Sequence, residues 1–212
     1  MPSVPIADES RLIQLAQSGD LDAFNRLVLG YQDAVYSVTL RMVRNQAIAE
    51  DLSQDAFISA WRAIKSYRGV ADPTRIEASG HTFRAWLLRI ARNATYDHIR
   101  KTGRHDVVSI DDDAVTFAET VPSHDRGPEE WALTSELGKT IGDGLGTLPA
   151  DQRMAIVMVD VEGYSYEETA AALATNIGTV KSRVNRGREK LRDFLRKHPE
   201  LLPDRLRHQD KE

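Results

Sequence analysis

The stretch from Tyr164 to Leu195 constrains this chain more than any other, because it joins two helix patterns through a very short connection. Ser165 and, three residues later, Glu168 match a capping box, in which each side chain accepts a hydrogen bond from the other residue's backbone N–H. Small residues follow, Thr175-Asn176 is typical of a turn, and a longer helix pattern begins directly after it. A short helix, a tight turn and a longer helix predict a helix-turn-helix.

The longer helix has one apolar face and one polar face. Its apolar residues recur at helical spacing, at Ile177, Val180, Val184, Leu191 and Leu195. Its opposite face carries Ser182, Asn185, Arg186 and Glu189. Residues 181–197 contain eight Lys or Arg and two acidic residues. Such a helix suits the DNA major groove, where long cations reach phosphates and short polar groups reach base edges, although a solvated surface helix can show the same pattern.

Composition excludes several other classes of protein. No run of 18 apolar residues occurs, and the N-terminus lacks a basic region followed by an apolar one, so we expect neither a membrane span nor a secretory signal. The absence of cysteine excludes disulfides and cysteine zinc sites. We find no motif for a metal, a bound cofactor or a catalytic nucleophile, and expect none of the three. The net charge of -4 argues against nucleic-acid binding, but screening makes the local distribution of charge more important than its sum.

The N-terminal half predicts three consecutive helices, at 8–17, 23–43 and 47–67. Gly19 closes the first helix, and Asp20 caps the second. The third helix has an apolar stripe and, on its other surface, an acidic and polar patch. That patch comprises Glu50, Asp51, Gln54 and Asp55. Spacing alone explains the patch as a solvated helix face.

Residues 83–101 predict a fourth helix with a basic character. Six Lys or Arg and one acidic residue lie between residues 84 and 104, interleaved with aromatic and amide side chains. This mixture suits single-stranded nucleic acid, since rings stack on bases and cations follow phosphates. Trp86 shares an apolar stripe and is expected in the core, whereas Asn93 and Tyr96 are expected to be exposed.

The rest of the chain divides into a linker and a second helical region. Residues 105–130 hold eight Asp or Glu, one Arg and two prolines without periodicity, which indicates an extended acidic linker. A weaker helix at 131–148 has glycine at every fourth position, which marks either a loose or a closely packed helix. An apolar and therefore buried helix is predicted at 150–161. We predict an all-α protein with two small helical domains, 8–104 and 131–198, the linker between them, and a polar tail at 199–212.

Four segments, taken in order, carry a resemblance to a known family. DAFNRLVLGYQDAVYSVTLRMVRN with AEDLSQDAFISAWRAIKSYRG comes first, followed by FRAWLLRIARNATYDHIRK. LPADQRMAIVMVDVEGYSYEETAAAL and TNIGTVKSRVNRGREKL come after the acidic linker. The chain resembles the extracytoplasmic-function (group IV) sigma factors of bacterial RNA polymerase, within the sigma-70 family. The combination is much more specific than any one motif.

The resemblance implies a cytoplasmic transcription initiation factor without catalytic activity or cofactor. Such a factor binds core RNA polymerase, recognises the −35 element as duplex, and holds the non-template strand of the −10 element open. The implied partners are the clamp helices of the β′ subunit, promoter DNA and a cognate anti-sigma factor. The acidic linker is implied to lie in the basic RNA channel of the polymerase.

The resemblance also implies site residues. The face that docks on the clamp helices matches Asp51, Gln54 and Asp55. Positions near the unpaired −10 element match Arg89, Arg92, Asn93, Tyr96, Asp97 and Arg100. The −35 recognition helix matches Thr179, Lys181, Ser182, Arg183, Asn185, Arg186 and Arg188. On that helix Ser182, Asn185 and Arg186 can face base edges together, while Lys181, Arg183 and Arg188 suit phosphates. The loop at 69–82 matches one that holds a flipped base, but it is longer than the family's usual connection, so its base pocket is not assigned.

Two alternatives remain open from the residues themselves. A one-component regulator would use the same helix-turn-helix to bind duplex DNA as a dimer, without needing the block from 47 to 104. An enzyme acting on nucleic acid is less well supported, because no catalytic motif is found.

Overall fold

The computed structural model describes residues 8–69, 82–102 and 138–197, and within these residues the fold is all-α. The helices are α1 (Glu9–Ser18), α2 (Leu21–Val43), α3 (Gln46–Ala63), α4 (Phe83–Thr102), α5 (138–146), α6 (Ala150–Ile156), α7 (Tyr166–Ala172) and α8 (Ile177–Leu195). The predicted all-α class with two helical regions is confirmed. The predicted acidic linker at 105–130 and the polar tail at 199–212 lie outside the described residues, as does nearly all of the 69–82 loop.

The helix boundaries of the first group, α1–α4, follow from short polar side chains and glycine. Asp20 accepts a hydrogen bond from the Ala23 N–H at 3.0 Å and begins α2, and Asn45 caps α3 in the same way. Gly19 ends α1 with φ +105°, a left-handed conformation that glycine adopts at little cost. The third predicted helix ends earlier than expected, because α3 gives way to a 3-10 turn at Ile64–Ser66.

An aromatic cluster fixes the start of α4 against the rest of the first group. The rings of Tyr31, Tyr67 and Trp86 each lie with their centroids 5.3 to 5.6 Å from the centroid of the Phe83 ring. Burial, together with the charge of Glu9, raises the pKa of Tyr67 to about 12. Trp86 packs against the core as predicted. The cluster therefore sets the direction in which α4 presents its basic face.

The second group, α5–α8, contains the predicted helix-turn-helix. The capping box is complete, with the Ser165 hydroxyl accepting from the Glu168 N–H and the Glu168 carboxylate accepting from the Ser165 N–H. Asn176 accepts from the Thr179 N–H at 2.8 Å and begins α8. The single helix expected at 150–161 is buried as predicted, but it changes to π-helix at Val157–Val161.

Three glycines of the second group lie in close contact with other elements. A Cβ at Gly146 would lie 2.6 Å from the Arg44 guanidinium, and one at Gly144 would lie 2.5 Å from Leu191. Gly187 is buried on α8 together with Val184, where α8 packs on α6. A Cβ at Gly187 would lie 2.7 Å from the Ile156 side chain. Within the repeat at every fourth position, a Cβ at Gly142 would meet only the Arg44 side chain at 3.9 Å, and Gly146 faces the far end of the same flexible side chain, so these contacts do not decide between a loose and a closely packed helix.

The two groups pack against each other. α4 lies along α7, and α2 contacts both α6 and the π-helical turn. None of the described helices has both the length and the apolar character needed to cross a membrane.

Candidate promoter and polymerase interfaces

The outer face of α8 presents the predicted base-reading side chains. Val180 and Val184 are fully buried, which turns the opposite side of the helix to solvent. Asn185 and Arg186 are exposed, and Ser182 is partly exposed. The Arg186 guanidinium donates to the Ser182 hydroxyl at 2.8 Å, so these two side chains lie together as predicted. Five donors in a planar guanidinium beside an amide and a hydroxyl can read base edges in a major groove.

The cations expected to contact phosphates have protein partners. Arg188 donates through Nε and Nη2 to the two carboxylate oxygens of Asp160, at 3.0 and 2.5 Å. Hydrogen bonding to Asp160 raises the pKa of Arg188 above its ordinary value. Arg183 pairs with Asp151 on α6 at 3.1 Å. Each of these arginines would therefore exchange a carboxylate for a phosphate on binding DNA. Lys181 is exposed and lies 5.8 Å from the centre of the Tyr166 ring, and Thr179 is partly exposed.

The predicted −10 residues of α4 fall into two sets. The exposed set comprises Arg89, Asn93, Asp97 and Arg100. Within it, Arg100 donates to Asp97 at 2.9 Å, one turn away on the same helix. Asn93 accepts two hydrogen bonds from Arg92, at 3.1 and 2.8 Å. This set leaves one side of α4 open to a nucleic-acid strand.

The second set, Arg92 and Tyr96, faces the helix-turn-helix. Arg92 donates through Nη1 to the backbone carbonyl of Leu173 at 2.5 Å, just beyond the end of α7. Tyr96 lies under Arg92, and its hydroxyl is 3.5 Å from the carbonyl of Ala150. Burial raises the pKa of Tyr96 above its ordinary value. The expectation that Tyr96 is exposed is wrong for this conformation, because the second group covers it.

The predicted polymerase patch is fully available on α3. Asp51, Gln54 and Asp55 are exposed, while Leu52 and Ala56 turn inward. Within the described part of the chain, no hydrogen bond or ion pair involves these three polar side chains. A docking partner would therefore not have to break an internal contact to reach them.

Ile58 is a candidate contact that the sequence reasoning missed. It lies three residues after Asp55 and four after Gln54, and its side chain is 48% exposed. An exposed large apolar side chain beside an acidic patch can provide a contact area that carboxylates cannot. The sequence does contain a signal for this contact, because the spacing of Ile58 from Gln54 and Asp55 places an apolar residue on the polar side of α3.

The described residues contain no group of three or more His, Cys, Asp or Glu side chains placed to hold a metal ion.

Two family models match the chain. Residues 27–105 match Sigma-70 region 2, and residues 140–191 match Sigma-70, region 4. These ranges contain the α3 patch, the basic helix α4 and the helix-turn-helix.

Curated relatives agree with these matches. The chain is 38% identical over 183 residues to the ECF RNA polymerase sigma-E factor of Escherichia coli K12, covering 84% of this chain and 89% of that protein. It is 34% identical over 186 residues to the RNA polymerase sigma-H factor of Pseudomonas aeruginosa, covering 85% and 90%. It is 37% identical over 178 residues to the ECF RNA polymerase sigma factor SigE of Mycolicibacterium smegmatis. That match covers 84% of this chain but only 63% of the relative.

Solved structures show the same fold. CnrH, in complex with the cytosolic domain of CnrY, matches with a TM-score of 0.60 and 27% identity, over 89% of this chain and 97% of that chain. The sigma factor RpoE of Bartonella quintana, in complex with the anti-sigma factor NepR, matches with a TM-score of 0.58 and 29% identity, over 82% and 96%. The chain therefore belongs to the extracytoplasmic-function sigma factors of RNA polymerase, whose regions 2 and 4 serve promoter recognition and transcription initiation.

Proposed function

We propose that this sigma factor docks on core RNA polymerase through α3, reads the −35 element with α8, and holds the −10 non-template strand on α4. The observation that carries the proposal is the orientation of α8. Its apolar side packs on α6, and this leaves Ser182, Asn185 and Arg186 together on the solvent side. Reading of base edges by a recognition helix needs this separation of faces.

The −35 contacts follow from the chemistry of these side chains. Arg186 can bond two acceptors of a guanine, and Asn185 can bond an adenine through its amide. Lys181, Arg183 and Arg188 lie to either side, where phosphates run past a helix in the groove. Thr179 lies in the first turn of α8, where it can also reach the backbone of the DNA.

The −10 contacts require no covalent chemistry. Arg89, Asn93 and Arg100 offer cations and an amide along the exposed side of α4. Capturing an unstacked base and its phosphates on such a surface stabilises separated strands relative to duplex. Asp97 also belongs to these −10 contacts. Arg92 and Tyr96 join them when the second helical group moves away from α4.

The polymerase contact is assigned to Asp51, Gln54 and Asp55. Their carboxylates and amide are exposed without internal partners among the described residues, which suits a basic or polar helical partner such as the β′ clamp helices. Ile58 adds an apolar contact beside them. We assign the site of action to the compartment that holds the polymerase, which is the cytoplasm.

A cognate anti-sigma factor is a further proposed partner. It is supported by the two structural relatives, since CnrH is bound to the cytosolic domain of CnrY and the Bartonella factor is bound to NepR.

Run-off transcription tests the proposal. Core polymerase with this chain should transcribe a subset of a promoter library, and the selected promoters should share a −35 and a −10 sequence at fixed spacing. Core polymerase alone and core with an Asp51→Lys/Asp55→Lys chain are the controls, and neither should select promoters. Failure to select any promoter, together with binding of a palindromic duplex without polymerase, would instead indicate a one-component regulator.

A further inference from the structure

A single side chain of α1 holds the end of α3. The Gln17 amide donates through Nε2 to the backbone carbonyl of Ile64 at 3.1 Å and to that of Tyr67 at 2.7 Å. These carbonyls lie where α3 passes through its 3-10 turn and the chain becomes extended, with φ −67° and ψ 123° at Tyr67. The two N–H groups of one amide therefore fix the direction in which the chain leaves α3.

This contact works as a helix cap supplied by a different helix. The last carbonyls of a helix have no partner within it, and a buried carbonyl needs one. Ile64 and Tyr67 are both buried, so loss of the Gln17 donor would leave acceptors away from water. α1 also packs directly against the 3-10 turn. The end of α3 thus depends on α1 for its position as well as for its hydrogen bonds.

Tyr67 carries this position to the start of α4. Its ring meets the Phe83 ring edge to face with the centroids 5.4 Å apart, and its centroid lies 5.2 Å from that of Trp86. Phe83 and Trp86 form the first turn of α4. Aromatic pairs have preferred geometries, so a displaced Tyr67 would displace this turn and the direction of the helix axis.

The other end of α1 contacts the same aromatic cluster. Glu9 accepts a hydrogen bond from the Tyr31 hydroxyl, and the Tyr31 ring lies 5.6 Å from that of Phe83. Burial and this bond raise the pKa of Tyr31 above its ordinary value. Eight residues separate Glu9 from Gln17, about 12 Å along a helix. α1 therefore spans the cluster and holds it at two separated points.

We propose that Gln17 is a positioning residue for the −10 contact, which holds Tyr67 from α1 and thereby orients the first turn of α4 toward the non-template strand. The inference rests on the proposed function of α4. Gln17 is only partly exposed and belongs to none of the proposed DNA or polymerase surfaces. A loosened end of α3 would leave the helices formed but would misplace Arg89 and Asn93, and a binding surface is only as exact as the side chains that support it.

Two substitutions separate the donor from the bulk of the side chain. Gln17→Met keeps the length and removes both N–H groups, whereas Gln17→Lys keeps a donor of similar reach. Gln14→Met, at an exposed position on the same helix, is the matched control. If Gln17→Met loses its helical circular dichroism at the assay temperature, Gln17→Asn replaces it, because its shorter amide does not reach both carbonyls.

The measurement separates promoter binding from promoter opening. Holoenzyme containing each chain is added to the promoter selected in the run-off experiment, and 2-aminopurine placed in the −10 element reports strand separation by its fluorescence. Initial binding should be unchanged in all variants. Opening by Gln17→Met should fall about tenfold, which is the effect of about 1.4 kcal/mol and the size expected for a lost buried hydrogen bond. Gln17→Lys and Gln14→Met should open the promoter like the parent.

A template with mismatched −10 strands tests for a merely structural role. Its strands are already separated, so saturating holoenzyme does not have to open them, and Gln17→Met should transcribe it like the parent. An equal loss on this template, normal opening of the duplex by Gln17→Met, or an equal loss with Gln17→Lys would each overturn the inference while the parent remains active. A parent holoenzyme that opens no promoter would instead overturn the proposed function, and the inference with it.

Discussion

Arg84 and Arg92 bind opposite ends of α7: Arg84 pairs with a side-chain carboxylate at the first turn, and Arg92 donates to a backbone carbonyl at the last. At the first turn the carboxylate of Glu168 lies between the Ser165 N–H and Arg84, so it caps the helix and pairs with α4 at once. At the last turn the Leu173 carbonyl accepts from Arg92, a cation placed where the helix dipole is negative. The position of the helix-turn-helix on α4 is thus fixed at both ends of its first helix.

Glu168→Gln should reduce the acid sensitivity of the fold. Burial acts to raise the pKa of Glu168, but hydrogen bonds from Ser165 and Arg84 and the charge of Arg84 outweigh it and hold the pKa below its ordinary value. A carboxyl with a lowered folded-state pKa contributes stability that is fully present above its ordinary pKa and is lost as the pH falls through the lowered value. Glutamine keeps the capping box without the charge.

The measurement is the thermal unfolding midpoint of both proteins between about pH 3 and pH 6. The parent's midpoint should fall more steeply with acid than that of the variant. Parallel curves would mean that the ionisation of Glu168 does not contribute to stability.

Asp51→Lys/Asp55→Lys should prevent association with core polymerase without changing thermal stability. Both carboxylates are exposed and make no hydrogen bond or ion pair within the described residues, so reversal removes no internal contact. Sedimentation with core polymerase measures the association, and a thermal melting curve measures the stability. Asp33→Lys on α2 is a matched exposed reversal that should bind like the parent. Retained binding by the double variant would move the polymerase surface elsewhere.

Arg186→Ala should cost roughly 1–3 kcal/mol of promoter binding and relax the preference at one or two −35 positions, because it removes a candidate base contact. Arg192→Ala on the same helix is the control, since Arg192 is exposed near the end of α8, outside the proposed contacts. Holoenzyme binding to single-base −35 variants gives both values. An even loss across all −35 variants would point to a phosphate contact for Arg186 instead.

Asp160→Asn should tighten promoter binding by the holoenzyme. In the parent, Arg188 is held by both oxygens of Asp160 and has to leave that carboxylate before it contacts a phosphate. Without the carboxylate this exchange is not needed, so the same phosphate contact contributes more affinity. Asp160→Asn/Arg188→Ala should remove the gain and flatten the plot of log affinity against log salt by about 0.9, as expected for one lost phosphate contact. An affinity unchanged by Asp160→Asn, with a slope unchanged by the double variant, would place Arg188 away from the DNA.

Gly187→Ala should destabilise the second helical group by about 1–3 kcal/mol, because the added methyl overpacks its contact with α6. The new Cβ would lie 2.7 Å from Ile156, a branched side chain in the core. Gly142→Ala on α5 is the control, since a Cβ there would meet nothing nearer than the Arg44 side chain at 3.9 Å. Urea unfolding of both variants measures the difference. Equal stabilities would show that α6 and α8 can move apart without cost.

Local rules predicted the helix boundaries well. Asp20 and Ser165 each cap the helix that the sequence assigned to them, because a cap depends on residues three positions away. The burial of Val180 and Val184 followed from helical period for the same reason. These features need no knowledge of distant parts of the chain.

Contacts between the two groups could not be predicted in this way. Tyr96 has a polar neighbourhood on its own helix, and what buries it is a helix that starts at Ala150, more than fifty residues later. The pairing of Arg183 with Asp151 and of Arg188 with Asp160 likewise joins different elements. A pattern of residues on one helix shows which side is polar, but not which of its charges already has a partner.

Half of the acceptor groups in the contact between the groups are main-chain carbonyls, at Met42, Ala150 and Leu173, and the others are carboxylates. A carbonyl is present whatever side chain its residue carries, so substitution at these three positions leaves the acceptor in place. The donors are side chains, and a single codon change at Arg92 or Arg153 removes one. At these carbonyl contacts the effect of mutation is therefore one-sided: the residue that carries the acceptor can change without loss, whereas the donor side chain cannot.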